Sequence, residues 1–100
     1  MVDEYSEKLD KIRTIFKIKT ASFSHVAGTL VTDQSGKLYL SVGEGGLSKY
    51  ASQNMDSLLG KILCIDVSEA DPKPEIIAYG LRNPWKYSID LENRMFIGDC

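Results

Sequence analysis

Residues 28–42 read GTLVTDQSGKLYLSV, and this stretch decides the fold class. Two runs of alternating apolar and polar residues, 28–33 and 37–42, flank a short turn at 34–36. Such alternation, rich in β-branched and aromatic residues, is typical of strands that bury one face, and Gly36 supplies the positive φ that a tight turn needs. The pattern therefore predicts an antiparallel β-hairpin.

Similar short apolar runs recur along the rest of the chain, each bounded by turn residues. They are TIFKIK at 14–19, KILCIDV at 61–67, EIIAYG at 75–80, WKYSID at 85–90 and RMFIGD at 94–99. Seven short strands predict an all-β protein, which is a sandwich, a barrel or part of a propeller. One helical turn is expected at 55–60. Residues 1–13 stay undecided, because EYSEKLDKIR at 4–13 combines helix formers with spaced apolar residues.

Length, charge and cysteine content exclude several classes of protein. One hundred residues with 43% hydrophobic content suit one small domain or a piece of one. The net charge is -2 without clusters of either sign, so we expect neither a nucleic-acid partner nor an anionic membrane surface. No apolar run approaches the roughly 18 residues of a membrane span, and the polar, acidic start is unlike a secretory signal. Cys64 and Cys100 stand alone and signal neither a zinc site nor a disulfide framework.

Three polar residues are candidates for chemistry. His25 is the single histidine, just before the hairpin, and an imidazole can take a proton from an alcohol at neutral pH. A lone histidine is also often a structural or surface residue. Arg82 and Asn83 lie in YGLRNPWKYSID at 79–90, where the bend itself needs only Gly, Asn or Pro. A guanidinium suits anionic oxygens, although an arginine beside an Asn-Pro turn is also an ordinary surface residue.

The remaining features have structural interpretations. GEGG at 43–46 lacks the spacing of a phosphate-binding loop, and Glu44 and Asp56 are expected to be solvated acids. Trp85 is expected to begin a strand and to pack in the core or against a neighbouring sheet. Alternation predicts that Tyr39, Leu63 and Ile65 belong to the sheet core.

Four motifs in order resemble the soluble quinoprotein glucose/sorbosone dehydrogenase family. They are SHVAGTLVTDQSGKLYLSVGEGG, SLLGKILCIDV, PEIIAYGLRNPWKYSID and MFIGD, which together span residues 24–99, whereas residues 1–20 match poorly. The family fold is a six-bladed β-propeller, so the resemblance implies that residues 1–100 form about two blades of a partial, incomplete propeller domain. An incomplete propeller exposes strand edges, so we expect self-association.

The resemblance also implies a function and a site. Members of the family include aldose sugar dehydrogenases that oxidise a sugar hydroxyl by hydride transfer to pyrroloquinoline quinone (PQQ). In the family, the histidine of the matching His-x-x-Gly-x-Leu motif is the general base, which implies a catalytic role for His25. The Arg-Asn pair of the GLRNP motif contacts the quinone, which implies cofactor-binding roles for Arg82 and Asn83. Calcium is the second cofactor, but its loop would begin where this chain ends, so no metal ligand is assigned. The isolated 100 residues are expected to be inactive.

Departures from the family pattern keep an alternative open. Ser24 stands where sugar-oxidising members often carry an acid or amide, Glu44 where they usually carry an aspartate, and Cys64 where an arginine is common. A related propeller occurs in the hedgehog-interacting protein, which binds and does not catalyse. A non-catalytic segment that binds protein or carbohydrate is therefore the alternative. Family members are mostly exported, which implies a periplasmic or secreted location that this chain itself does not encode.

Overall fold

The protein is described here by a computed structural model, which covers residues 2–5, 11–19, 24–46 and 50–100. All the strands in these ranges pair in an antiparallel manner. The strands are β1 (Val2–Tyr5), β2 (Lys11–Phe16), β3 (Ala27–Thr32), β4 (Leu38–Val42), β5 (Lys61–Ile65), β6 (Glu75–Ala78), β7 (Lys86–Ile89) and β8 (Met95–Gly98). In the described part of the long β4–β5 connection, residues Ala51–Gln53 form a 3-10 turn.

Three sheets lie in chain order. β1 and β2 form a two-stranded sheet, β3 to β6 form a four-stranded sheet in sequential order, and β7 and β8 form a second two-stranded sheet. A four-stranded antiparallel sheet with consecutive strands as neighbours is the unit from which propeller blades are built. The predicted all-β class is thereby confirmed, and the arrangement is consistent with part of a β-propeller.

The hairpin that decided the fold class forms as predicted. Gly36 has a φ of 87°, and the turn closes with the Asp33 amide donating to the Lys37 carbonyl at 3.0 Å. Residues 1–13, which the sequence left undecided, form strands where the structure describes them, since β1 reaches Tyr5 and β2 begins at Lys11. Residues 6–10 lie outside the described residues. Pairing between β1 and β2 overrides the local helix propensity, as tertiary context commonly does.

The expected helical turn at 55–60 is also misplaced. The described helical residues are Ala51–Gln53, and two turns, at 55–56 and 59–60, follow before β5. The Lys61 side chain provides the physical reason, because its ammonium donates to the carbonyls of Ala51 (2.9 Å), Ser52 (2.9 Å) and Leu59 (2.7 Å). These three bonds fold the connection around the start of β5.

The core lies between the first sheet and the four-stranded sheet. Its buried members are Val2, Leu40, Val42, Leu63 and Ile65. Burial of each large aliphatic side chain contributes about 1.5–3 kcal/mol, so this cluster holds the first two sheets together. Burial of Leu63 and Ile65 was predicted from their alternation and is confirmed. Within the described residues, no helix has the length and apolar character needed to cross a membrane.

Antiparallel order brings several strand ends together. β3, β5 and β7 begin at the same end of their sheets at which β4, β6 and β8 finish, and we refer to it as the upper end. β3 packs beside β7, so the second and third sheets are neighbours. The Tyr87 hydroxyl joins them, since it lies 3.0 Å from the Thr29 carbonyl and 2.8 Å from the Tyr39 carbonyl. Residues that follow or precede these strand ends can therefore meet across sheets.

Candidate functional site at the upper end

The loop after β4, residues 43–46, contacts both segments that carry candidate residues. The Gly45 amide donates to the His25 carbonyl at 3.2 Å, and the Glu44 amide donates to the Arg82 carbonyl at 2.8 Å. His25 precedes β3 and Arg82 precedes β7, so the two lie far apart in the sequence. Folding therefore brings two of the three predicted site residues to one loop.

Glu44 is the centre of this arrangement and not the solvated acid that the sequence suggested. Its Oε1 atom lies 2.5 Å from the Nδ1 atom of His25 and accepts a hydrogen bond from the Gly46 amide at 3.0 Å. Glu44 is only 8% exposed, while the His25 side chain is 26% exposed. Asp56, by contrast, is exposed as predicted. The prediction for Glu44 was wrong because the loop folds back onto His25.

The ionisation of Glu44 determines which proton the histidine carries. The hydrogen bond with His25 holds the pKa of Glu44 below its ordinary value, and the Gly46 amide and the Arg82 charge act in the same direction against the effect of burial. An ionised carboxylate can only accept hydrogen bonds, so Nδ1 of His25 must donate. The neutral ring then has its lone pair on Nε2, which makes Nε2 the proton acceptor.

The backbone at His25 is strained and tightly enclosed. His25 and Ala27 have φ values of 52° and 49°, in the left-handed region that residues with a Cβ rarely adopt. Strain of this kind persists where the surrounding structure imposes it and is concentrated at functional sites. Part of the enclosure is Gly43, where an added Cβ would overlap the His25 carbonyl oxygen. The position of the imidazole thus depends on a glycine in the adjacent strand end.

Arg82 and Asn83 form a turn that is fixed by the end of β8. The Asp99 carboxylate accepts the Arg82 amide at 3.1 and 3.0 Å and the Asn83 amide at 2.8 Å. The Arg82 guanidinium donates through Nη1 to the Cys100 carbonyl at 2.7 Å. Sequence reasoning missed Asp99, as it missed Glu44. Both are carboxylates within two residues of the end of a strand that finishes at the upper end, which is the signal that could have identified them.

Trp85 corrects a further expectation. It does not begin the strand, since β7 starts at Lys86, and it is not part of the core, since it is 47% exposed. Its indole Nε1 donates to the sulfur of Cys100 at 3.3 Å, and its carbonyl accepts the Thr29 hydroxyl of the neighbouring sheet. The buried residue of this turn is Pro84.

The donors and acceptors of the turn fit a quinone that carries acceptor oxygens and an N–H group. The Asn83 Oδ1 atom is buried and has no hydrogen-bond partner among the described residues, so it calls for a donor from elsewhere. The described residues give the Arg82 guanidinium one hydrogen bond, which leaves its other N–H groups for acceptor oxygens. Among the same residues, no group of three or more His, Cys, Asp or Glu side chains could hold a metal ion.

The antiparallel all-β fold of blade-like sheets is consistent with a fragment of a β-propeller, and a histidine, a carboxylate and an arginine lie at one end of its sheets. This chain belongs to the glucose/sorbosone dehydrogenase family, whose family model matches residues 1–99. The matched range includes residues 1–20, which the sequence motifs matched only poorly.

Individual relatives agree with this assignment. The chain is 33% and 32% identical to the HIPL1 and HIPL2 proteins of Arabidopsis thaliana, over 83% and 85% of its length. It is 30% identical to the aldose sugar dehydrogenase YliI of Escherichia coli (strain K12), over 77% of its length. The chain spans 16% of the length of each plant relative and 24% of the bacterial one. No solved structure matches the chain significantly.

Proposed function

We propose that this chain carries part of the active site of a PQQ-dependent sugar dehydrogenase. The observation that carries the proposal is the group at the upper end, in which Glu44 binds the His25 ring through its side chain and the Arg82 carbonyl through its amide. The family and the aldose sugar dehydrogenase relative support the class of reaction. The substrate is a sugar hydroxyl, which must lose a proton from oxygen and a hydride from carbon.

His25 is the base for the proton. Because Nδ1 carries the ring proton and donates it to Glu44 in a hydrogen bond, Nε2 is unprotonated. Its lone pair can accept the hydroxyl proton of the sugar. The Glu44 carboxylate then stabilises the imidazolium that forms, in the manner of the third member of a catalytic triad. Partial exposure of the His25 side chain lets a small substrate reach the ring.

Arg82 and Asn83 are the residues that would hold the quinone. When bound, the quinone supplies the acceptor for the hydride that leaves the sugar carbon. Arg82 would bind acceptor oxygens of the quinone and stabilise the negative charge that accompanies its reduction. The Asn83 Oδ1 atom would accept a hydrogen bond from an N–H group of the quinone. Calcium is proposed as the second cofactor, and no residue of this chain is assigned as its ligand. A periplasmic or secreted location is part of the same proposal.

The proposal is tested by substitution in the full-length protein supplied with PQQ and calcium. Dye reduction is measured with a panel of aldoses, and PQQ affinity is measured separately. His25→Gln should lower kcat by about 10²- to 10⁴-fold, the usual contribution of a general base, and leave PQQ affinity unchanged. Arg82→Met should weaken PQQ binding.

Arg94→Met is the matched control, because Arg94 lies at the opposite end of the β7–β8 hairpin, where it pairs with Asp90. This variant should change neither quantity. Absence of dye reduction by the wild-type protein, or an undiminished rate in His25→Gln, would contradict the proposal.

A second candidate is a non-catalytic propeller that binds protein or carbohydrate. It is favoured by the two plant relatives, whose names state no activity, and by Ser24 beside the base. The same experiment separates the two candidates, since a binding protein of this kind would neither bind PQQ nor reduce the dye.

A further inference from the structure

The carboxylate of Asp99 is a polar group at the upper end that the proposed chemistry leaves without a role. It follows β8 directly and accepts the backbone amides of two consecutive residues, Arg82 and Asn83. Hydrogen bonds from amides to an ionised carboxylate are stronger than those between neutral groups. Fixing two consecutive amides also fixes the directions in which both side chains leave the backbone.

Two aspartates that begin hairpin turns in the second and third sheets act differently. Asp33 accepts the amides of Ser35 and Lys37, and Asp90 accepts those of Glu92 and Arg94, so each closes the hairpin turn that it begins. Asp99 accepts amides that are 16 and 17 residues away. It therefore does not close a local turn, and instead ties the end of β8 to the loop between β6 and β7.

Asp99 also explains why an acceptor on Asn83 stays unpaired. Asparagine side chains commonly fold back onto backbone amides of their own turn. Here the Asp99 carboxylate already occupies the amides of Arg82 and Asn83, and the Asn83 Oδ1 atom remains buried without a partner among the described residues. The adjacent Cys100 carbonyl holds the Arg82 guanidinium at 2.7 Å. The end of β8 thus orients both residues of the turn for a ligand.

We propose that Asp99 is a positioning residue, which holds the Arg82–Asn83 turn in the geometry that binds the quinone. The inference rests on the proposed function, because it assigns Asp99 a role in the same site. Asp99→Asn removes the charge and leaves one neutral acceptor oxygen for two amides, so the Asn83 side chain becomes free to compete for one of them. The Asn83 oxygen is then lost to the ligand.

The experiment compares Asp99→Asn with Asp90→Asn in the full-length protein. Both substitutions neutralise an aspartate that accepts backbone amides on the third sheet, but Asp90 lies at the opposite end of the hairpin. The probe is PQQ itself, titrated into the apo protein at constant calcium and followed by tryptophan fluorescence. Asp99→Asn should raise the Kd for PQQ by about 10- to 100-fold, the range that supporting partners of a ligand contribute in metal sites. Asp90→Asn should change the Kd by less than about twofold.

Two further measurements separate positioning from simple damage to the fold. At saturating PQQ, the sugar KM of Asp99→Asn should equal that of the wild-type protein, because only the quinone contacts have moved. In an Arg82→Met background, the additional loss from Asp99→Asn should shrink, since two residues that act through one contact are not additive. If Asp99→Asn does not fold, Asp99→Glu retains the charge and should give a smaller rise in Kd.

The outcomes distinguish this inference from the proposed function. PQQ binding by the wild-type protein with equal Kd values in Asp99→Asn and Asp90→Asn would overturn the inference alone. An undiminished loss in the Arg82→Met background would do the same. Failure of the wild-type protein to bind PQQ would overturn both.

Discussion

Lys61 is the residue whose substitution tests the packing of the upper end most sharply. Its side chain is 0% exposed, and its ammonium donates to the carbonyls of Ala51, Ser52 and Leu59 at 2.7–2.9 Å. A buried ammonium is tolerated only when its donors are matched by acceptors, and here three donors meet three carbonyls. Lys61→Met keeps the length of the side chain and removes the charge together with all three bonds.

The expected loss of unfolding free energy depends on which hydrogen bonds the three carbonyls keep in Lys61→Met. The Ala51 carbonyl still accepts the Asn54 amide at 3.1 Å, and the Ser52 carbonyl still accepts the Gly80 amide at 2.7 Å. The Leu59 carbonyl is left unpaired, which costs about 1–3 kcal/mol for a buried group. The Ala51 and Ser52 carbonyls each lose one hydrogen bond, which adds to the loss of stability. The variant also no longer buries a charged ammonium, which offsets part of this loss. We therefore expect the free energy of unfolding to fall by about 2–4 kcal/mol.

Denaturant unfolding of the full-length protein measures this loss, with Lys86→Met as the matched control. Lys86 also begins a strand at the upper end, but it is exposed, with its ammonium 5.1 Å from the centre of the Trp85 ring. Its removal should cost no more than about 1 kcal/mol. A loss below about 1 kcal/mol for Lys61→Met, or equal losses for the two variants, would refute the argument that the buried ammonium organises the connection.

Three other substitutions have defined outcomes. Because the pKa of Glu44 lies below its ordinary value of 4.5 in the folded protein, its stabilising contribution is present above that pH and is lost as pH falls further. Denaturant midpoints between about pH 6 and pH 3 should therefore fall less steeply in Glu44→Gln, and parallel profiles would contradict this. Tyr87→Phe should cost about 1–3 kcal/mol of unfolding free energy, because its hydroxyl joins two sheets, whereas exposed Tyr79→Phe should cost less than about 0.5 kcal/mol in the same assay. Gly43→Ala should lower the rate of sugar oxidation about 100-fold by displacing His25, and a rate like that of the wild-type protein would show that the overlap is relieved elsewhere.

Features that depend on local sequence pattern could be predicted, whereas features that depend on contacts between distant residues could not. The hairpin at 28–42 was predictable because alternation and Gly36 act within a few residues. β1 was not, because its pairing with β2 is a tertiary effect that local propensity opposes. For the site, the sequence indicated residue types with evident chemistry, His25 and Arg82. It could not indicate the carboxylates that hold them, since a lone Glu or Asp after a strand is ordinary until the strand ends are known to meet.

The register of the four-stranded sheet connects the core to this site. Val42 is opposite Ala27 on β3 and Lys61 on β5, and it is 2% exposed within the apolar cluster. A slip of one residue in β4 would exchange Val42 with Ser41 and place a hydroxyl in that cluster, so apolar burial selects a single register. Glu44 lies two residues beyond Val42, and the same register therefore delivers its carboxylate to His25. The hydrophobic pattern of β4 therefore fixes where Glu44 lies, and the hydrogen bond between Glu44 and His25 then fixes the geometry of the site.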